Sequence, residues 1–277
     1  MKNKFYSMAG LRIGVESERP VAESCYYRAF YADAGACDLT ITVTEGEIPP
    51  RTGELLDCKP DRAFYHDGRQ LRLFTTYARP GGAAPFACRE TQGDRVLLTV
   101  DHPDGLWDSM LFFALNLPEL LAEREIFLCH SSFILYRGEA VLFVGDKGAG
   151  KSTQAALWAG VRGAEIINGD RSLLRFVDGR LTAFGTPYCG SSQIALNRSA
   201  PVKAIILLDK GPDNRIALRT GMQALLPLLA QFSYESYQNA QATDFALQVC
   251  QSVPVYGLAC RPEAAAVALL EKTLWQR

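Results

Sequence analysis

Residues 145–153 read GDKGAGKST, which fits the pattern G-x-x-x-x-G-K-[ST]. The setting fits as well. A fully apolar run, Ala140–Val144, leads straight into Gly145, and a helix-forming run, Gln154–Ala159, follows Thr153. A strand–loop–helix of this kind turns backbone N–H groups inward on an anion. Gly148 and Gly150 allow the loop to do so, and a helix beginning near Lys151 adds the positive end of its dipole. Lys151 then reaches the β- and γ-phosphates of a nucleotide, and the Ser152 hydroxyl can ligate Mg²⁺. The expected phosphate-binding set is Gly145, Gly148, Ala149, Gly150, Lys151, Ser152 and Thr153. In the alternative the glycines merely make a turn; the strand before them and the helix after them disfavour it.

Phosphoryl transfer also needs a carboxylate for the metal and a group that activates the nucleophile. Two acids follow apolar runs: Asp170 in INGDR and Asp209 in AIILLD. Either is also readable as a solvated strand-end carboxylate, and the residues alone do not choose between them. Arg171 is placed to stabilise charge on a transferred phosphoryl, or to make a surface ion pair. His130 lies beside the loop strand if Ile126–Tyr136 and Ala140–Val144 form a hairpin about Arg137-Gly138-Glu139; a satisfied core histidine is the plainer reading. Gly185–Ser192 (GTPYCGSS) reads as a substrate-binding loop or a tight connection. Trp158 is expected in the core. Tyr234 and Tyr237 either pack a helix bundle or contact a ligand.

Outward from this centre, the pattern after the loop alternates. A helix over Lys151–Ala159 precedes a strand at Glu165–Asn168 and a hairpin turning at Asp178-Gly179. A strand at Val202–Leu208 follows, then helical stretches at Met222–Phe232 and Tyr237–Gln251, a strand at Val255–Leu258 and a helix at Pro262–Leu274. The front of the chain reads as β. Leu11–Glu16 and Asp38–Glu45 alternate apolar and polar, and Asp67-Gly68 and Gly93-Asp94 mark hairpins. His66 and His102 are expected in surface loops, because no partners lie at metal spacing. A helix over Asp104–Ala122, kinked or ended by Pro118, closes this part. Hairpins mixed with helices predict an α+β fold with a mixed sheet. The expected division is a β-rich domain over 1–122 and a nucleotide-binding domain over 123–277, in keeping with ~150 residues per domain.

The 277 residues carry 29 Lys+Arg and 30 Asp+Glu, a net charge of −1, which excludes a broad basic face for nucleic acid. No apolar run reaches the ~18 residues of a membrane span. Lys2 and Lys4 are followed by no apolar segment, so no secretion signal is expected. The eight cysteines include no C-x-x-C pair, which argues against zinc and a disulfide framework and for a cytoplasmic protein with its cysteines mostly buried.

The segments HSSFILYRGEAVLFVGDKGAGKSTQAALWAG (130–160), GAEIINGDRSLLR (163–175) and FGTPYCGSSQIALNRSAPVKAIILLDKG (184–211) together resemble the HPr kinase/phosphorylase-related kinases. The resemblance is to a diverged bacterial branch, often found beside peptide-modification genes, and spans roughly residues 125–275. It implies a fold like the nucleotide domain of ATP-dependent phosphoenolpyruvate carboxykinase: a mixed sheet curled partly into a barrel, with helices packed against it. It implies that Lys151, Asp170 and His130 stand at catalytic positions and that Ser152 and Asp170 hold the metal; Arg171 joins the catalytic candidates from its place beside Asp170 and not from the resemblance. The family's acidic pair falls on Gly169-Asp170, so one acid remains, and the resemblance assigns the metal and proton-accepting roles to Asp170 rather than Asp209. The Arg-Gly-Leu-Gly-Ile signature of HPr kinase itself is absent and GTPYCGSS stands at a comparable place. The implied activity is therefore an ATP- and Mg²⁺-dependent kinase acting on a hydroxyl, such as Ser of a protein or peptide; the missing signature gives little support to phosphorylase activity or to HPr as the substrate. A homo-oligomer is compatible with the sequence. The competing functions are a nucleotide-dependent switch using Asp209, with no N-K-x-D to read guanine, and a non-catalytic nucleotide-binding module.

Overall fold

The computed structural model describes residues 1–76, 84–101 and 106–276. The chain divides into two compact units, Met1–Leu120 with Glu235–Tyr237, and Leu121–Tyr234 with Gln238–Arg277.

The first unit is an eight-stranded sheet. Its strands are β1 (Lys2–Met8), β2 (Leu11–Ser17), β3 (Leu39–Glu45), β4 (Glu54–Lys59), β5 (Arg62–His66), β6 (Leu71–Thr76), β7 (Pro85–Gln92) and β8 (Arg95–Val100), in spatial order β1-β2-β3-β8-β7-β6-β5-β4. Both expected hairpins form: β5 pairs with β6 and β7 with β8, each antiparallel. Alternation sets the buried face, as β3 buries Leu39, Ile41 and Val43 and turns its threonines outward. Strand β4 escapes a pattern search because none of its residues is buried. His66 is exposed and its Nδ1 accepts from the Gly68 N–H at 3.2 Å, within the turn. His102 lies outside the described residues.

The helix expected over Asp104–Ala122 is two helices, α1 (Asp108–Ala114) and α2 (Leu117–Ala122); Asp104 and Gly105 lie outside the described residues. The break comes before Pro118. Asn116 takes φ +46°, a left-handed conformation that asparagine tolerates, and Pro118 then sits in the first turn of α2, where its missing N–H is unneeded. Tyr237 packs edge-on against Phe64 in this first unit, with ring centroids 5.5 Å apart.

The second unit contains β9 (Phe127–Tyr136), β10 (Glu139–Val144), α3 (Lys151–Arg162), β11 (Glu165–Asn168), β12 (Arg171–Val177), β13 (Arg180–Phe184), β14 (Ser199–Lys210), β15 (Arg215–Arg219), α4 (Met222–Leu229), β16 (Phe232–Ser233), α5 (Asn239–Ser252), β17 (Val255–Cys260) and α6 (Ala264–Trp275). Strands β10, β9, β12, β13 and β14 pair in sequence, and β14 returns to pair in parallel with β10, closing a five-stranded barrel. From β14 the sheet continues through β17 to β15. The mixed sheet is what the hairpin pattern predicts, and its partial closure into a barrel is what the resemblance implies.

Strand β10 is apolar from Ala140 to Val144 because these residues are buried on both faces of the sheet. Leu142 and Val144 join a core with Phe127, Phe133 and residues of α4 and α5. Val141 and Phe143 join the opposite core with Trp158, Leu270 and other residues of α3 and α6. Trp158 is fully buried against Tyr136 and Trp275, as expected of a core residue. Tyr234 packs against the first of these cores. The helix expected over Met222–Phe232 stops at Leu229, and Phe232–Ser233 instead pairs with β9. Only Cys88, Cys129 and Cys189 are buried; Cys25 and Cys58 are exposed and the other three half-buried, so the expectation of buried cysteines fails for most of them. Among the described residues no helix is long and apolar enough to cross a membrane.

Candidate active site

Strand β10 delivers the chain to the glycine loop and α3 carries it away. Gly145 (φ +145°), Gly148 (φ +84°) and Gly150 (φ +105°) all lie where side chains are disfavoured. A Cβ on Gly145 would stand 3.0 Å from the Leu208 carbonyl oxygen, so this glycine is also demanded by the close approach of β14. The first N–H groups of α3 have no partner within the helix. Lys151, 7% exposed, donates from Nζ to the carbonyls of Gly145 (2.7 Å) and Asp146 (3.2 Å). Burial holds its ammonium below the ordinary lysine range, while the charges of Asp170 and Asp146 act against that shift.

Strand register brings the remaining candidates to this loop. β9 lies between β10 and β12. Val144 pairs with Ser131, which puts His130 level with Gly145, and His130 pairs in turn with Arg171. One row across three strands therefore holds the loop, His130 and the Asp170-Arg171 pair. The Asp170 carboxylate lies 3.4 Å from His130 Nε2 through Oδ1, and 3.3 Å from Arg171 Nε through Oδ2. Asp170 is partly exposed. The Ser152 hydroxyl has a long bond, 3.4 Å, to the Gly169 carbonyl.

Asn168, fully buried, sets the orientation of this acid. Its Oδ1 accepts from the backbone N–H of Asp170 (2.8 Å) and Arg171 (2.9 Å), while its Nδ2 donates to the Thr186 carbonyl (2.8 Å). That is a side-chain-built turn. Arg171 Nη1 also reaches Ser233 Oγ at 3.3 Å, and the His130 N–H donates to the Gln231 carbonyl at 2.8 Å. Asn168, Gln231 and Ser233 were not singled out from sequence. Asn168, two residues before Asp170 in a strand-ending Asn-Gly-Asp, carried a readable turn signal; the other two are brought in by β16, a two-residue strand with no pattern.

The GTPYCGSS segment packs directly on Gly169 and Asp170. A Cβ on Gly190 would stand 2.7 Å from Asp170 Cγ, and one on Gly169 would stand 2.5 Å from Ser192 Oγ. The space that a second acid would need at position 169 is filled by Ser192. Gly169→Asp is expected to lower stability by about 1–3 kcal/mol through overpacking, read as a lower thermal midpoint. Adding Ser192→Gly to it should recover most of the loss; no loss in the single variant contradicts the packing.

His130 has its imidazolium disfavoured, first by burial and then by the charges of Lys151 and Arg171, with Asp170 opposing. The folded-state value therefore lies below the unfolded one of ~6.5. Below that pH the unfolded chain takes the proton more readily, so His130 lowers stability as pH falls and not as it rises. His130→Gln should flatten the decline in denaturation midpoint between about pH 7 and pH 5; an unchanged pH profile would refute the assignment.

Asp209 sits apart from this row. It is exposed at the end of β14, its Oδ1 accepts from the Lys210 N–H at 2.8 Å, and it lines a cavity with Gly145 and Asp146. Among the described residues no group of three His, Cys, Asp or Glu side chains is arranged to hold a metal alone.

No family model matches the chain, and no curated protein matches it. Among solved structures, the HPr(Ser) kinase/phosphatase from Coxiella burnetii matches with 17% sequence identity and a TM-score of 0.31, covering 53% of this chain and 87% of that chain.

Proposed function

We propose that the chain is a phosphotransferase that moves the γ-phosphoryl group of ATP to a hydroxyl acceptor, with Ser of a protein or peptide as the acceptor class implied by the sequence resemblance. One observation carries the reading. The registers Val144–Ser131 and His130–Arg171 set the phosphate-loop motif beside a carboxylate flanked by an imidazole and a guanidinium. A lone strand-end acid would need none of these companions.

In this reading the loop's backbone N–H groups and Lys151 hold the phosphates, and the dipole of α3 favours their charge. Mg²⁺ commonly takes one or two protein ligands and completes its shell with phosphates and water. Ser152, whose hydroxyl is only loosely held, and the partly exposed Asp170 fit that donor set. The metal would supply charge neutralisation on the transferred group. Asp170 accepts the proton of the acceptor O–H as that oxygen bonds to the γ-phosphorus and the bond to the β–γ bridging oxygen breaks. Arg171 offsets the charge of the transferred group. Catalysis then consists of positioning and charge stabilisation.

A second reading, a nucleotide-driven switch that hydrolyses ATP through Asp209, is favoured by the place of Asp209 in the cavity beside Gly145. Incubation with radiolabelled γ-phosphate ATP and candidate acceptors tests the choice. Label on an acceptor supports transfer, and steady phosphate release that is indifferent to acceptor supports the switch. Ser152→Ala tests the metal role. It should leave binding of the phosphate chain mostly intact and weaken its dependence on Mg²⁺; superimposable Mg²⁺ titrations for the two proteins would remove Ser152 from that role.

A further inference from the structure

The GTPYCGSS segment (185–192) lies directly against the acid of the candidate site. It is tied on both sides to the strands that flank that acid. Thr186 Oγ1 donates to the Arg171 carbonyl at 3.0 Å, and just beyond the segment the Leu196 N–H donates to the Ile167 carbonyl at 3.1 Å. Between these anchors Gly190 begins a single 3-10 turn, Gly190–Ser192. It is seated so closely that an added Cβ would stand 2.7 Å from Asp170 Cγ and 3.1 Å from Oδ1. We propose that Ser191, the next residue, is a self-acceptor: the chain transfers the γ-phosphoryl group of ATP to its own Ser191. The proposal rests on the phosphotransferase reading above and adds to it a modification site.

Elimination among the hydroxyls around the acid selects this residue. Ser152 belongs to the phosphate loop itself. Ser131 and Ser132 are fully buried, the first bonded to Ser172 Oγ at 2.9 Å and the second to the Gly169 carbonyl at 2.8 Å. Thr186 is fully buried and holds the Arg171 carbonyl. Ser233 Oγ accepts from Arg171 Nη1 at 3.3 Å. Ser192 Oγ donates to the Cys189 carbonyl at 2.6 Å and accepts from the Ile194 N–H at 3.3 Å. Ser191 is exposed, and among the described residues its hydroxyl makes no hydrogen bond.

The transfer needs no partner beyond Mg·ATP. Ser191 Cα is one ~3.8 Å step along the chain from Gly190 Cα, and a hydroxyl must come within ~2.6–3.2 Å of its base to give up a proton. Gly190 stands at φ +53° and, having no side chain, leaves that conformation freely, which lets the turn carry the hydroxyl onto the carboxylate. Ser191 Oγ then bonds to the γ-phosphorus as the bond from that phosphorus to the β–γ bridging oxygen breaks. The electron pair of the broken bond leaves with ADP, and the hydroxyl proton passes to Asp170. Acceptor and base sit in one chain, so the step is intramolecular and its rate per chain is independent of protein concentration.

The test incubates the purified protein with Mg²⁺ and ATP labelled at the γ-phosphate, and follows the label by intact mass and peptide mapping. The wild type should take up one phosphate per chain, on Ser191, with a first-order rate that stays constant as protein concentration is varied about tenfold. Asp170→Asn, purified in the same way, should be labelled about 10²–10⁴-fold more slowly, which also excludes a contaminating kinase. Ser191→Ala should take up no label while keeping Mg·ATP affinity within about twofold, which shows that it folds and retains the phosphate loop. A wild type that binds Mg·ATP and stays unlabelled at Ser191, or label that persists in Ser191→Ala, overturns the proposal and leaves nucleotide binding standing. A labelling rate that rises with protein concentration overturns transfer within the chain. Failure of the wild type to bind Mg·ATP overturns the nucleotide reading and this proposal with it.

Discussion

Asp170→Asn is expected to lower phosphoryl transfer about 10²–10⁴-fold, the usual worth of a general base, while changing Mg·ATP affinity far less. The substitution is nearly isosteric, and the bonds that place residue 170 come from its backbone: its N–H to Asn168 Oδ1 and its carbonyl to the Ser131 N–H. Those bonds survive. An amide still sits between His130 and Arg171, but it has no carboxylate to take the acceptor's proton. Single-turnover transfer measured beside equilibrium binding separates the two effects. Asp209→Asn serves as the companion and should be close to wild type in both, since Asp209 is exposed at a strand end outside the row formed by β9, β10 and β12. If Asp209→Asn abolishes turnover while Asp170→Asn keeps it, the assignment is wrong and the switch reading replaces it.

Lys151→Ala is expected to weaken Mg·ATP binding about 10- to 150-fold, corresponding to the ~1.5–3 kcal/mol of a charge-assisted hydrogen bond. The side chain is nearly buried and already tied to two loop carbonyls, so little freedom remains to be lost when it turns to a phosphate. Its truncation also leaves the Gly145 and Asp146 carbonyls without that donor. A modest fall in thermal midpoint should therefore accompany the loss of affinity. Binding indistinguishable from wild type by calorimetry would mean that phosphates, if they bind, do not bind at this loop.

The loop was legible because its chemistry is local: the turn, the cradle and the lysine all lie within nine residues, Gly145–Thr153. The sheet's mixed character was legible for the same reason, since each hairpin announces itself at its turn. What the sequence could not show was register. His130 and Asp170 are forty residues apart, and only the pairing of His130 with Arg171 puts them 3.4 Å from one another. The absence of an acid at position 169 was visible, but its physical cause was not, because Ser192 reaches that space from a separate turn. Strand β15 and strand β16 were missed because an exposed edge and a two-residue pairing leave no alternation to detect. The helix boundary at Asn116 was misplaced onto Pro118 because a proline is the louder signal, although it is harmless in a first helical turn.

The central claim is that the Gly145–Thr153 loop holds the phosphates of a nucleotide. Titration of Mg·ATP into the wild-type protein, followed by displacement with inorganic triphosphate, tests it most directly. One saturable site per chain, competed by triphosphate and shared with ADP, is the predicted result. No binding heat at millimolar Mg·ATP, or binding that triphosphate fails to displace, would contradict it.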